Sequence, residues 1–249
     1  YRTVSLLPII SKIIEKVINS QTQDFLEKSN INCRYQSGFR KNYSTDSCLS
    51  YLSDKFSKGF DFGLFTGMIL IDLQKALDTI NHDILVDKMY CLGFSESTLI
   101  WYKSYLNLRQ FKVSLNDTMS QPGKITCGVP QGSILGPLLF LLYINDIPQA
   151  VEYEILLYAD DTCLLFQNKN IEAIENQLNK DFSSLCEWFV DNKLSVHFGE
   201  DKTKSILFGS KYKIKKADPL NIEYNNIKIK QYKKVTYLGC ILDDTLSGE

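Results

Sequence analysis

Three aspartates hold most of the chemistry this sequence could perform. Asp160 and Asp161 are adjacent and lie between two runs of β-forming residues, Ile155 to Tyr158 and Cys163 to Phe166. That pattern reads as a tight hairpin with both acids at or beside its tip. Asp72 comes at the C-terminal end of a nearly continuous apolar run, Gly67 to Leu73, which reads as a strand buried on both faces. Neighbouring strand residues point to opposite faces, so only the twist of a turn lets two adjacent carboxylates converge. Once together they raise each other's pKa unless a cation sits between them. Oxygen-only ligands favour Mg²⁺ or Mn²⁺ over zinc. Taken alone, an Asp-Asp pair is an ordinary turn, and a strand-end acid can simply cap the turn that follows. Taken together, carboxylates from two strands can hold two divalent ions a few ångström apart. Such a pair of ions activates an attacking hydroxyl and stabilises a leaving pyrophosphate.

A site that handles phosphates also needs cations and backbone amides. Arg40, Lys202 and the loop Gly128 to Gly132 are the candidates. Between Gly123 and Pro137 the chain is dense in Gly and Pro, and a strongly apolar helix is expected to follow from Leu138 to about Ile147. Such a loop lets backbone approach a ligand closely, and a helix N-terminus offers amide donors to an anion.

The elements that must position these groups follow from periodicity. Apolar residues at 9, 10, 13, 14, 17 and 18, with Lys12, Glu15 and Lys16 opposite, predict an amphipathic helix over 9–26. Ser44 or Thr45 can cap a second helix from Asp46 to about Phe56. Helices are expected over His82 to Cys91, stopping at Gly93, and from Ser95 to Leu106. Arg109 to Leu115 alternates as one strand. Ile171 to Phe189 predicts a long amphipathic helix, followed by a strand from Ser205 to Gly209, a hairpin from Leu220 to Lys230 turning at Asn225-Asn226, and a single strand from Val235 to Leu242. His82 reads as a helix-start or packing residue, His197 as a surface residue, and Trp101 and Trp188 as core. Asn145-Asp146 reads as a structural helix end, not a fourth metal ligand.

With 249 residues, 44% of them hydrophobic, the chain can bury a substantial core. A net charge of −1 excludes a globally basic nucleic-acid binder. Basic charge is instead local: from Lys202 to Lys234 there are ten lysines against two acids, Asp218 and Glu223. That run is either a solvated face or a phosphate-contacting surface. Seven cysteines, odd in number and never spaced C-x-x-C, indicate neither a disulfide framework nor a structural zinc site, and point to a reducing compartment. Two glycosylation sequons, Asn42-Tyr43-Ser44 and Asn116-Asp117-Thr118, stand without a secretory signal. The start at Tyr1 reads as a fragment of a longer protein.

An ordered series of blocks closely resembles the reverse transcriptase domain of non-LTR retrotransposons. The blocks are Ser5-Leu6-Leu7, Gly38-Phe39-Arg40, Ile71 to Asp78, Gly128 to Ser133, Tyr158-Ala159-Asp160-Asp161, Lys202-Thr203 and Tyr237-Leu238-Gly239. The resemblance implies an α+β right-hand polymerase fold, with fingers and a palm whose antiparallel sheet is backed by helices, and a thumb absent or truncated. Residues 1–65 would be partial fingers. Residues 66–249 would be palm, with a fingers-contributing insertion near 94–122 and a primer-grip region near 235–245. It implies an RNA-directed DNA polymerase extending a primer on an RNA template.

The resemblance also implies residue roles. Asp72, Asp160 and Asp161 would hold two Mg²⁺ ions, with Mn²⁺ an alternative, and Lys202 would protonate pyrophosphate. Arg40, Leu73, Leu77, Gln131 and Gly132 would contact the incoming nucleotide, with Arg2 a further candidate, and Tyr237, Leu238 and Gly239 would grip the primer. Partners would be an RNA template, a DNA primer or nicked target DNA, and deoxynucleoside triphosphates, with no membrane. The setting would be a cytoplasmic ribonucleoprotein and the nucleus. Two departures stand out: Leu77 replaces the family's usual aromatic, which blocks a ribose 2′-hydroxyl, and Thr3 replaces a Pro. The rival readings are a catalytically silent RNA-binding module of polymerase shape and a maturase-like protein.

Overall fold

The computed structural model describes residues 5–107, 109–115, 118–199 and 201–247. Arg2, Thr3, Asn116 and Asp117 lie outside the described residues. In chain order the elements begin with α1 (Ile9–Lys28), α2 (Thr45–Asp61), β1 (Phe65–Ile71), α3 (His82–Cys91) and α4 (Glu96–Leu106). Four two-residue strands follow, β2 (Gln110–Phe111), β3 (Ser114–Leu115), β4 (Thr118–Met119) and β5 (Gly123–Lys124), then α5 (Leu135–Tyr143), β6 (Glu154–Tyr158), β7 (Asp161–Asn168) and α6 (Ile171–Asp191). The chain closes with β8 (Lys204–Phe208), α7 (Lys211–Ile214), β9 (Ile222–Tyr224), β10 (Ile227–Ile229), β11 (Lys234–Tyr237) and β12 (Cys240–Asp243). These elements form two compact units with interleaved segments. Among the described residues no helix is long and apolar enough to cross a membrane.

The first unit takes Tyr1–Asn32, Lys75–Asn145 and Asn192–Leu194. Its centre is α5, almost wholly buried from Leu135 to Tyr143 and packed by α1 and α3. Helix α5 starts three residues earlier than the sequence pattern indicates and ends at Tyr143, with Ile147–Ala150 forming a separate 3₁₀ turn. Pro137 does not delay the start, because first-turn amides have no intrahelical partner to lose.

Helix α1 corrects a second expectation. The stripe Ile9, Ile10, Ile13, Ile14 and Val17 faces solvent, while Glu15, Thr22 and Leu26 are buried. Glu15 is only 1% exposed. Its carboxylate accepts from Tyr105 Oη at 2.8 Å and from the Ile134 amide at 2.8 Å, just ahead of α5. Thr22 Oγ1 lies 2.8 Å from Tyr102 Oη. Periodicity reveals that a helix has two faces; these polar partners decide which one goes inward.

The predicted strand from 109 to 115 is also broken. Its ends pair separately, β2 with β5 and β3 with β4, each pair only two residues long and exposed. Trp101 is half-buried, short of the core position expected.

The second unit takes Cys33–Gln74, Asp146–Asp191 and Ser195–Glu249. Its sheet is antiparallel throughout, in the order β6-β7-β1-β8. Strand β1 is central, and alternation sends its residues to two covered faces. Gly67 gives way to Ile174 and Leu178 of α6, since a Cβ there would sit 2.7 Å from Leu178 Cδ1. Met68, on the other face, joins a core with Cys48, Leu52 and Phe56 of α2 and Phe208 of β8. The Phe56 and Phe208 rings lie 4.4 Å apart. Ser44 caps α2 in a reciprocal capping box with Ser47. Trp188 is half-buried on α6, again short of the core.

The single strand expected from 235 to 242 is a hairpin. Strands β11 and β12 pair from Lys234↔Asp243 to Tyr237↔Cys240, leaving Leu238 (φ +48°) and Gly239 (φ +83°) as a two-residue turn. Adjacent positive-φ residues are what a tight primed turn requires, and a Leu there conceals the signal. The Asn225-Asn226 turn, by contrast, stands where its residue types place it, with both φ values positive.

Candidate active site

In the second unit, β6 and β7 are joined by two residues, Ala159 and Asp160, with Tyr158 paired to Asp161. Asp161 therefore opens β7. The register Ile71↔Thr162 brings Asp72, one residue beyond β1, level with Asp161. Two acids far apart in sequence thus reach the same sheet end through backbone pairing alone.

Asp72 is held by the segment at 195–203. The His197 amide donates to Asp72 O at 2.8 Å, and the Gln74 amide to Ser195 O at 2.8 Å. The Asp72 amide donates to Thr203 Oγ1 at 3.3 Å, and that hydroxyl donates to His197 O at 3.0 Å. Two side chains reach the carboxylate: the Lys202 ammonium, Nζ at 3.2 Å, and the His197 imidazole, Nδ1 at 3.4 Å from Oδ2. His197 is half-buried against Asp72, not the surface residue the sequence indicates. Its only sequence signal is that it shares a short segment with Lys202.

Asp72, Asp161, Lys202, Lys204, Thr236, Tyr237 and Leu238 line a cleft of about 200 Å³. Within it the Asp161 carboxyl is pushed up to about 6, by burial first and then by the charges of Asp160 and Asp72. Three carboxylates thus crowd a cleft in which Lys202 pairs with Asp72. Among the described residues, however, no three His, Cys, Asp or Glu side chains are gathered as a ready-made metal cage. The three acids share one electrostatic neighbourhood; they do not close around a point.

Tyr237 is 3% exposed and stands 3.8 Å from Cys48 Sγ through its hydroxyl. Burial drives its pKa far up, and the hydroxyl is a core group. Arg40 Nη1 donates to Cys33 O at 2.8 Å and Gln36 O at 3.0 Å, with its guanidinium over the Tyr43 ring. Leu73 is buried and forms an antiparallel bridge with Val196.

The remaining candidates, Leu77, Gln131 and Gly132, belong to the first unit. There the Gly-Pro loop docks on residues 77–82. The Val129 amide donates to Leu77 O at 2.8 Å, the Gly128 amide to Ile80 O at 2.7 Å, and Gln131 Nε2 to Asp78 Oδ1 at 2.9 Å. Gly128 has φ +81°, and a Cβ there would meet Asp78 O at 2.5 Å. His82 Nε2 lies 2.8 Å from Gly128 O, a packing role. The Ile134 amide at the start of α5, a candidate anion donor, is already taken by Glu15. A larger groove of about 420 Å³ between α1 and α4 in this unit carries no titratable side chain.

Comparison with known proteins adds two findings. A family model described as "Reverse transcriptase (RNA-dependent DNA polymerase)" matches residues 1–242. Among curated relatives, the probable RNA-directed DNA polymerase from transposon BS of Drosophila melanogaster is 31% identical over 99% of this chain and 28% of its own length. The RNA-directed DNA polymerase from mobile element jockey of the same organism is 28% identical, over 99% and 27%. The chain therefore spans under a third of these relatives. Among solved structures, apo telomerase from Candida tropicalis superposes with a TM-score of 0.62 at 12% identity, covering 95% of this chain and 40% of that one. The telomerase of the same organism with a fragment of telomeric RNA gives 0.58 at 13%, covering 96% and 36%. These structural likenesses bear on the fold alone.

Proposed function

Because the chain belongs to the reverse transcriptase (RNA-dependent DNA polymerase) family, we propose that it is the RNA-directed DNA polymerase part of a non-LTR retrotransposon protein, joining deoxynucleotides to a primer on an RNA template. One observation carries this reading above the rest: Asp72 and Asp161 come level across β1 and β7, with Lys202 Nζ 3.2 Å from Asp72.

The fold is mixed helix and sheet with polymerase neighbours, and the finer assignment is ours. The four-stranded sheet serves as palm within 66–249, residues 1–65 contribute to fingers together with the stretch near 94–122, and the 235–245 region grips the primer. The family implies Mg²⁺ or Mn²⁺, and the residues present fit. Asp72, Asp160 and Asp161 offer only hard carboxylate oxygens, and Asp161 is raised by burial and by the charges of the other two acids. When bound, two such ions supply Lewis-acid activation of a hydroxyl and charge stabilisation at a leaving pyrophosphate.

The protein's own residues do the rest. Lys202, held beside Asp72, delivers a proton to the departing pyrophosphate oxygen. Arg40, Leu73, Leu77, Gln131 and Gly132 are the residues that the family resemblance assigns to the incoming nucleotide, each by its own motif. Leu238 and Gly239 present turn backbone to the primer end. By the same reading the protein works with an RNA template and a DNA primer or nicked target, in a cytoplasmic ribonucleoprotein and the nucleus.

Extension of oligo(dT) on poly(rA) with Mg²⁺ tests the proposal, with Asp160→Asn as control. Metal-dependent synthesis that the substitution abolishes supports it. RNA binding with no synthesis by the wild type would favour the catalytically silent module instead.

A further inference from the structure

The turn that presents Asp160 and Asp161 rests on a residue in a costly conformation. Ala159 has φ +55°, a left-handed backbone that a non-glycine residue adopts only when its surroundings impose it. The imposing group is Gln36, 123 residues away in sequence and 3% exposed. Its Oε1 accepts from the Ala159 amide at 2.9 Å and from the Gly38 amide at 2.7 Å, and its Nε2 donates to Ala159 O at 3.3 Å. Both polar groups of one strained residue are thus held by a single side chain.

The backbone around Gln36 is pinned to the same hairpin. The Ser37 amide donates to Leu157 O at 2.8 Å, and the Leu157 amide to Tyr35 O at 3.0 Å. Gly38 lies so close to the turn that a Cβ would overlap the Ala159 nitrogen and stand 2.8 Å from the Tyr158 carbonyl carbon. Arg40 in turn fastens the Gln36 carbonyl. A buried amide side chain needs partners for its polar atoms, and here those partners are the turn itself.

We propose that Gln36 is a positioning residue for the acid pair: its side-chain amide clamps Ala159 in the left-handed conformation and thereby aims Asp160 and Asp161 at Asp72. The inference deepens the polymerase reading, on which its kinetic consequences rest; the clamp itself is a property of the fold.

Gln36→Met keeps length and removes every polar contact. Gln36→Glu keeps the two accepted bonds and removes the donor to Ala159 O. In Gln36→Met the Ala159 amide should exchange with solvent about tenfold faster or more, while amides in β1 keep their protection. Mn²⁺ binding, read by spin resonance of the free ion, should weaken several-fold. In extension assays kcat should fall by about tenfold to a hundredfold with the dNTP KM within about twofold, because an ångström of misplacement costs rate before it costs binding. Gln36→Glu should retain Ala159 amide protection and recover part of the rate.

Unchanged Ala159 exchange and unchanged Mn²⁺ affinity in folded Gln36→Met would overturn the proposal. Should that variant not fold, loss of Ala159 protection in Gln36→Glu, despite its acceptor oxygens, would overturn it as well. A wild type that extends no primer would remove the polymerase reading, and the exchange measurement would still decide the clamp.

Discussion

The Lys202 ammonium lies 3.2 Å from the Asp72 carboxylate, in the cleft that Asp72 and Asp161 share. Both side chains are about a third to a half exposed, so the pair adds little to stability, at most about 1 kcal/mol. Its consequence is positional: an ammonium is held against one acid of the cleft.

Lys202→Ala should therefore lower the rate of primer extension by about 10²-fold, the scale of a lost general acid, and leave the melting temperature nearly unchanged. Comparing kcat with thermal denaturation checks this. A large loss of stability with kcat intact would assign Lys202 to structure.

Asp161 makes metal-free stability depend on pH. Its folded pKa is raised from 3.8 to about 6, so the fold favours the protonated form. That contribution is full below about pH 4, falls through the window between, and is lost above about pH 6. In EDTA, wild type should lose stability relative to Asp161→Asn as pH rises from 4 to 6.5. The slope should be shallow, because the side chain is only partly covered, and added Mg²⁺ should reduce it. Parallel curves for the two proteins would contradict the shift.

Helix α1 supplies a contrast within one element. Glu15→Leu strips the acceptor from Tyr105 Oη and the Ile134 amide and should cost about 2 kcal/mol or more. Ile10→Ser on the solvent side should change stability by no more than about 0.5 kcal/mol, since Ile10 is 72% exposed. Urea denaturation of the two variants checks the pair, and the reverse order would show the helix turned the other way.

Leu77 lies on the segment whose carbonyl anchors the Gly-Pro loop, and the motif resemblance implies an aromatic ring at its position. Leu77→Phe should raise discrimination against ribonucleotides by about tenfold or more, by adding bulk against the 2′-hydroxyl. Equal dNTP-to-rNTP selectivity in the two proteins would remove Leu77 from the sugar pocket.

Much of this was legible in the sequence, for reasons that differ by element. Strand β1 declares itself by a nearly continuous apolar run, and α3 by its closing Gly93, because both signals are local. The β6–β7 hairpin is equally local. What stayed hidden depends on distant partners. Glu15 is buried only because Tyr105 and Ile134 await it, and His197 reaches Asp72 only through pairing of 195–197 with 72–74. The turn at Leu238-Gly239 was masked by a residue type that seldom takes positive φ. Gln36 adjoins a recognisable block, yet its role exists only across 123 residues of chain.

The central claim is that Asp72 and the Asp160-Asp161 turn serve one metal-dependent centre. The most direct test is Mg²⁺-dependent primer extension by Asp72→Asn, Asp160→Asn and the double variant. If the acids act as a unit, each single substitution should reduce the rate by about 10³-fold or more, and the double should lose little beyond either. A single variant that keeps wild-type rate, or losses that multiply in the double, would contradict it.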